Sequence, residues 1–170
     1  MSLSLLPKFR ADAITDIHGD FFQQQNVRLL MLDFDNTIVP YTTDEPTTLV
    51  AAWLKWMTDC NMYVCIVSNS KRDRVKIFCE KYGLHCITHA GKPGTKGILE
   101  CLRKFGCKPE EAMLIGDQIY TDTLGGNRAG VRTVLVKSIH NHTFWLKLRH
   151  VAELPFIAMA RKRRICHEKS

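Results

Sequence analysis

Apolar residues in this chain come in short dense runs, separated by stretches in which they recur every three to four positions. The runs at 27–33, 62–68, 112–117 and 131–136 are rich in branched side chains and too short for buried helices. Runs of that length and composition predict strands buried on both faces. The weaker run HCITH, 85–89, predicts a fifth strand. Between them, the spacing predicts helices over about 11–25, from plausible caps at Thr42 and Thr43 to about Cys60, over 71–82, over 95–105, and a short one over 121–129. Gly19 weakens the first of these, while Gly83 and Gly106 are expected to stop the third and fourth. Leu49, Trp53, Trp56 and Met57 share a helical spacing and are expected in the core. Strand and helix alternate throughout. The expected fold is therefore α/β: a Rossmann-like, doubly wound sheet of about five parallel strands with helices on both faces.

A chain of 170 residues with 45% hydrophobic content suits one domain and argues against general disorder. No run of about 18 apolar residues is present to span a bilayer. The first residues, MSLSLLPKFRADAI, lack the pattern of a secretory signal. Seven cysteines, an odd number without a C-x-x-C pair, point to reduced thiols and a cytoplasmic setting. Cys86 lies near His85 and His89, but the paired spacing of zinc ligands is missing. Small buried apolar groups are the better reading of these thiols.

The net charge of +7 is unevenly placed. From Lys137 to Ser170 there are eight Lys/Arg against two acids, or +6, which leaves +1 for residues 1–136. The division expected is a nearly neutral core over 1–136 and a basic, aromatic-containing segment over 137–170. In that segment Phe144 and Trp145 stand beside Lys147 and Arg149, and Arg161 to Arg164 form a basic run. Such a segment either packs on the core or meets an anionic surface, with a membrane contact through residues 140–165 as the functional expectation. Nucleic acid is disfavoured, because no recognisable binding module surrounds the basic run. Oligomeric state leaves no mark in the sequence.

Chemistry concentrates at the carboxyl ends of the predicted strands, the edge where open α/β sheets bind ligands. The first strand ends on Asp33 and Asp35, followed by Asn36 and Thr37; the second ends on Ser68 and Asn69. Lys92 lies in the loop HAGKPGTKG, and the fourth strand ends on Gly116-Asp117, with Asp122 five residues later. Carboxylates at buried strand ends are costly unless a metal or ligand uses them. Three carboxylates, a hydroxyl and a lysine on one edge suit a hard cation and a phosphate. The bland alternatives are specific too. Ser68 by itself would read as a cap for the helix beginning near Lys71, and Asp122 as a helix cap. Lys96 competes with Lys92, but it falls inside a predicted helix, so Lys92 is favoured. Gly125 and Gly126 read as close-packing positions.

The ordered set DFDNT, the Ser68 of IVSNS, Lys92 and GDQIYTD resembles the four motifs of the haloacid dehalogenase (HAD) superfamily of aspartate-nucleophile phosphotransferases, across about 27–136. The fuller wording, LDFDNTIVP, SNS, GKP and GDQIYTDTLGGNRAG, is most similar to the YqeG family, which is in turn similar to the mitochondrial phosphatidylglycerophosphate phosphatases. The resemblance implies that Asp33 attacks phosphorus and that Asp35 protonates the leaving oxygen, then activates water. It implies Mg²⁺ held by the Asp33 carboxylate, the Asp35 backbone carbonyl and Asp117. It implies phosphate binding by Ser68, Asn69 and Lys92, with Thr37 and Asp122 in support. Asp122 is expected to orient the site or reach the metal through water.

HAD enzymes acting on small molecules often carry a cap domain between the first and second motifs or between the second and third. The intervals here are filled by single loops, helices and strands, so no cap domain is expected. An open site suits a phosphate carried on something large. The family resemblance, together with the basic segment, implies phosphatidylglycerophosphate as the leading substrate, ahead of a phosphoprotein, a nucleic-acid end or a small metabolite. The expected location is cytoplasmic, peripheral to the inner face of the membrane. The rival from another class is a phospho-accepting receiver module; the second acid of the D-x-D pair favours turnover instead.

Overall fold

The computed structural model describes residues 4–71 and 73–139, together with 155, 156, 158, 159 and 165. Most of the expected segment over 140–165, including Phe144, Trp145 and the run from Arg161 to Arg164, lies outside the described residues.

Among the described residues, six parallel strands make the sheet. β1 (Phe9–Arg10), β2 (Leu29–Leu32), β3 (Tyr63–Val67), β4 (His85–Ile87), β5 (Ala112–Gly116) and β6 (Arg132–Leu135) are ordered β1-β6-β5-β2-β3-β4. The sixth strand, β1, is too short to leave a periodic signal in the sequence. It exists through pairing with β6, where Phe9 is in register with Val134 and Arg10 with Leu135.

Helices α1 (Gly19–Gln24), α2 (Thr48–Asp59), α3 (Arg74–Tyr82), α4 (Lys96–Phe105) and α5 (Leu124–Ala129) fill the connections. The helix expected over 11–25 is a 3-10 turn at Ile14–Asp16 followed by α1. α2 starts later than expected: Thr47, not Thr42 or Thr43, is its cap, with Oγ1 accepting from Val50 N at 3.3 Å. Its buried face is also rotated from the expected one. Val50, Trp53, Leu54 and Met57 are buried, whereas Leu49 is 73% and Trp56 42% exposed. α3 and α4 stop where expected, at Gly83 (φ 64) and Gly106 (φ 60), in the left-handed conformation that glycine adopts at little cost. α5 is preceded by a π-helical turn over Ile119–Thr123.

Alternation along the central strands divides the core in two. Leu30 and Leu32 of β2, Val64 and Ile66 of β3, and Met113 and Ile115 of β5 pack with Trp53, Met57, Val75 and Phe78 on one face. Leu29, Met31, Cys65, Val67 and Leu114 pack with Ile98, Cys101 and Leu102 of α4 on the other. Burial on both faces is why these strands read as unbroken apolar runs.

Candidate active site

The chain reverses direction across β2. From β2 it winds outward through β3 and β4, then returns to the other side for β5 and β6. The carboxyl ends of β2 and β5 therefore border a topological switch point, the crevice where open α/β sheets bind ligands. Asp33 continues β2 beyond its last residue, with its N–H donated to Ile115 O at 2.9 Å. Asp117 follows β5 directly, and Asp122 lies in the π-helical turn behind it.

Lys92 stands at the centre. Its Nζ donates to Asp33 Oδ1 at 2.7 Å and to Asp122 Oδ1 at 2.6 Å, and its side chain is 1% exposed. Burial works against the lysine charge, but Asp122 and Asp33 outweigh it and hold the pKa above the ordinary lysine value. Burial pushes the Asp122 carboxyl up to about 6, against the opposing pull of Lys92. Asp122 Oδ2 accepts from Gln118 N at 3.1 Å, so both oxygens of this side chain are engaged. Gly116 permits that placement: a Cβ there would fall 2.3 Å from the Asp122 carboxyl.

Asp117 is pushed well above the usual carboxylate range by burial and by the charges of Asp33 and Asp122, with a Ser138 hydrogen bond opposing. Thr37 Oγ1 donates to Asp117 Oδ1 at 3.4 Å. One oxygen from each of Asp33, Asp117 and Asp122 can be chosen so that all lie within 4.8 Å of one another. A set of hard oxygen donors whose charges crowd one another fits a divalent cation such as Mg²⁺.

The Ser68 to Lys92 side of the site is joined by backbone. Asn69 Nδ2 donates to Lys92 O at 2.8 Å while Lys92 N donates to Asn69 Oδ1 at 2.8 Å. The Asn69 carboxamide thus grips the Lys92 backbone through both its N–H and its carbonyl. Ser68 is buried, and its Oγ accepts from Ser70 N at 3.1 Å. Lys96 is exposed at the start of α4, away from this cluster of contacts.

Asp35 sits at the mouth. Asn36 takes the left-handed conformation (φ 61), and its Oδ1 accepts from Tyr41 N at 3.0 Å, closing the turn after Asp35. Asn tolerates this conformation better than most side chains. The Asp35 carboxylate meets Arg74, with Nη1 3.1 Å from Oδ1. Sequence reasoning missed Arg74, which there is one basic residue among several in SNSKRDR.

The sequence has a relative that matches it over about three quarters of its length. The chain is 37% identical over 131 residues to the probable phosphatase YqeG of Bacillus subtilis, covering 77% of this chain and 76% of that one. It belongs to the YqeG family. Residues 89–147 of this YqeG-family chain also match a HAD-hydrolase-like family model. A HAD-superfamily hydrolase from Ehrlichia chaffeensis superposes with TM-score 0.54 at 15% identity, over 79% of this chain and 97% of that one. The cobalt-bound deoxy-D-mannose-octulosonate 8-phosphate phosphatase of Haemophilus influenzae gives TM-score 0.52 at 12% identity, over 74% and 75%. At these identities the two structures share the fold with the YqeG-family chain.

Proposed function

We propose that this protein is a Mg²⁺-dependent phosphomonoester hydrolase working through an aspartyl-phosphate on Asp33, with a lipid phosphate, phosphatidylglycerophosphate first, as substrate. The observation that carries the reading is the Lys92 bridge. A buried ammonium joins the carboxylate at the end of β2 to the one behind β5, at the switch point of the sheet. Membership of a family that includes a probable phosphatase supports the same reading.

In the first step an Asp33 oxygen bonds to phosphorus as the bond to the leaving oxygen breaks, and Asp35 gives that oxygen its proton. In the second, the Asp35 carboxylate takes a proton from water, the hydroxide attacks phosphorus, and the Asp33–phosphorus bond breaks to release inorganic phosphate. An ammonium has three donors; Asp33 and Asp122 take two, and the third serves a phosphoryl oxygen. Ser68 supplies a further donor, and Asn69 acts by holding Lys92. Asp33, Asp117 and the Asp35 carbonyl would hold Mg²⁺, which supplies charge compensation for the phosphoryl group. Asp122 orients Lys92, and Thr37 orients Asp117.

Two features support a large substrate. The intervals from Asp35 to Ser68 and from Ser68 to Lys92 hold a loop, α2, β3, α3 and β4. In addition, Ile139 N donates to Asn36 O at 2.9 Å, so the basic, aromatic segment begins at the rim of the crevice. Among the described residues no helix is long and apolar enough to cross a membrane. Contact through residues 140–165 with the anionic inner face of a membrane would be peripheral.

The test is phosphate release across a panel with and without Mg²⁺. The panel holds phosphatidylglycerophosphate in vesicles, p-nitrophenyl phosphate, a phosphopeptide, a 5′-phosphorylated oligonucleotide and a sugar phosphate. Preference for the vesicle substrate supports the proposal. Preference for another member reassigns the substrate, and no Mg²⁺-dependent release from any member overturns the enzyme reading.

A further inference from the structure

Arg74 is the first residue of α3, five positions after Asn69, and its side chain is 12% exposed. The guanidinium carbon lies 5.1 Å from the centre of the Phe34 ring, beside the end of β2. Nη1 donates to Asp35 Oδ1 at 3.1 Å and to Tyr41 O at 3.2 Å. Nη2 donates to Pro40 O at 3.4 Å and to Thr43 O. Nε lies 3.1 Å from Asp44 Oδ1, an ion pair without hydrogen-bond alignment.

These contacts separate two possible jobs. An arginine that binds substrate phosphate presents part of its donor fork to the site. Here both terminal nitrogens are occupied by the protein, and the fork points at Asp35 and the loop over 40–44. We propose that Arg74 is a positioning residue for Asp35: it fixes the carboxylate that exchanges protons with leaving group and water, and ties it to the loop walling the crevice. The inference rests on the phosphatase reading. A lysine cannot replace the fork, because an ammonium has three donors and Arg74 serves four acceptors, Asp35 and three backbone carbonyls.

The test is steady-state and rapid-mixing kinetics of Arg74→Lys and Arg74→Gln on p-nitrophenyl phosphate with Mg²⁺, beside thermal melts of each variant. Nitrophenolate leaves without a proton, so formation of the aspartyl-phosphate is spared, while its hydrolysis needs a correctly held Asp35. Kcat should fall about tenfold or more, short of the roughly hundredfold or greater loss of removing a general base, because Asp35 is still present. KM should fall in parallel, so kcat/KM should change by less than about threefold, as when a step after the first chemical one slows. A burst of nitrophenolate close to the enzyme concentration should precede turnover. Asp44→Asn, which removes an 80% exposed partner of Arg74 and leaves Asp35 in place, should keep kcat within about twofold.

The inference is overturned if kcat/KM falls as far as kcat, if Arg74→Lys behaves as wild type, or if Asp44→Asn matches the Arg74 variants. In those cases an active wild type leaves the phosphatase reading standing. An Arg74→Lys protein that does not melt cooperatively leaves Arg74→Gln to decide by the same burst. A wild type that hydrolyses nothing overturns the phosphatase reading and this inference with it.

Discussion

Lys92 Nζ lies 2.7 Å from Asp33 Oδ1 although 59 positions separate the two residues in the chain. The contact is buried, with side-chain exposures of 1% and 10%, and Asp122 completes it at 2.6 Å. A lysine in that position neutralises a crowded carboxylate pair and has a third N–H beyond the two it gives them. Removing it leaves buried charges without a partner, a loss of about 3–5 kcal/mol for comparable buried pairs.

Lys92→Ala is therefore expected to lower turnover by about a hundredfold or more, comparable to removing one transition-state donor. It should also lower the melting temperature. Lys96→Ala changes an exposed residue at the start of α4 and should leave both nearly unaltered. Turnover and melts of the two variants decide it, and the reverse ranking would move the phosphate-binding lysine to position 96.

Asp33→Asn should abolish turnover, because an amide is a poor nucleophile towards phosphorus. Asp35→Asn should slow both proton transfers by about a hundredfold or more. Excess EDTA should stop the wild type, since three clustered carboxylates without a cation repel the substrate phosphate. Near-native activity in Asp33→Asn, or activity that survives EDTA, contradicts the mechanism.

Gly116→Ala tests a packing relationship far from obvious in the sequence. The added methyl would sit 2.3 Å from the Asp122 carboxyl, so Asp122 must move and Lys92 with it. Overpacking of this kind costs about 1–3 kcal/mol. Turnover should fall by more than this loss of stability explains at temperatures well below the melt. A variant with full activity would show that Asp122 has room to shift without disturbing Lys92.

Asp117 and Asp122 give the metal-free protein a definite pH response. Their folded-state pKa values are raised, that of Asp122 to about 6 from 3.8. The folded state therefore holds more protons than the unfolded state above about pH 4; the contribution of Asp122 to stability is lost as pH rises from about 4 to about 6, and that of Asp117 is lost in the same direction. A cation needs the ionised carboxylates, so it binds better as pH rises. The increase in melting temperature on adding Mg²⁺ after EDTA treatment should be larger at pH 7 than at pH 5. An equal increase at both values would separate these carboxylates from metal binding.

The sequence by itself determined the central strands and the residues at their carboxyl ends. Strands buried on both faces must be apolar throughout, so β2, β3 and β5 appear as runs. A parallel α/β order brings the ends of such runs to one edge, which is how Asp33, Ser68, Lys92 and Asp117 were legible as candidates for one site. Helix stops at Gly83 and Gly106 were legible because a left-handed turn requires a particular residue locally.

Only the tertiary structure decided features that depend on partners distant in the chain. β1 is two residues long and is a strand because β6 lies beside it. The buried face of α2 was set by what it packs against, including the bond from Trp53 Nε1 to Ile17 O, and spacing alone placed Leu49 and Trp56 wrongly in the core. Arg74 lies 39 positions from Asp35, and in the sequence nothing distinguishes it from its basic neighbours. Asn69 grips the Lys92 main chain, and Gly116 makes room for Asp122, through contacts of backbone and shape. Local periodicity records how much of a side chain is buried; which group it meets there is set by the packing of the whole chain.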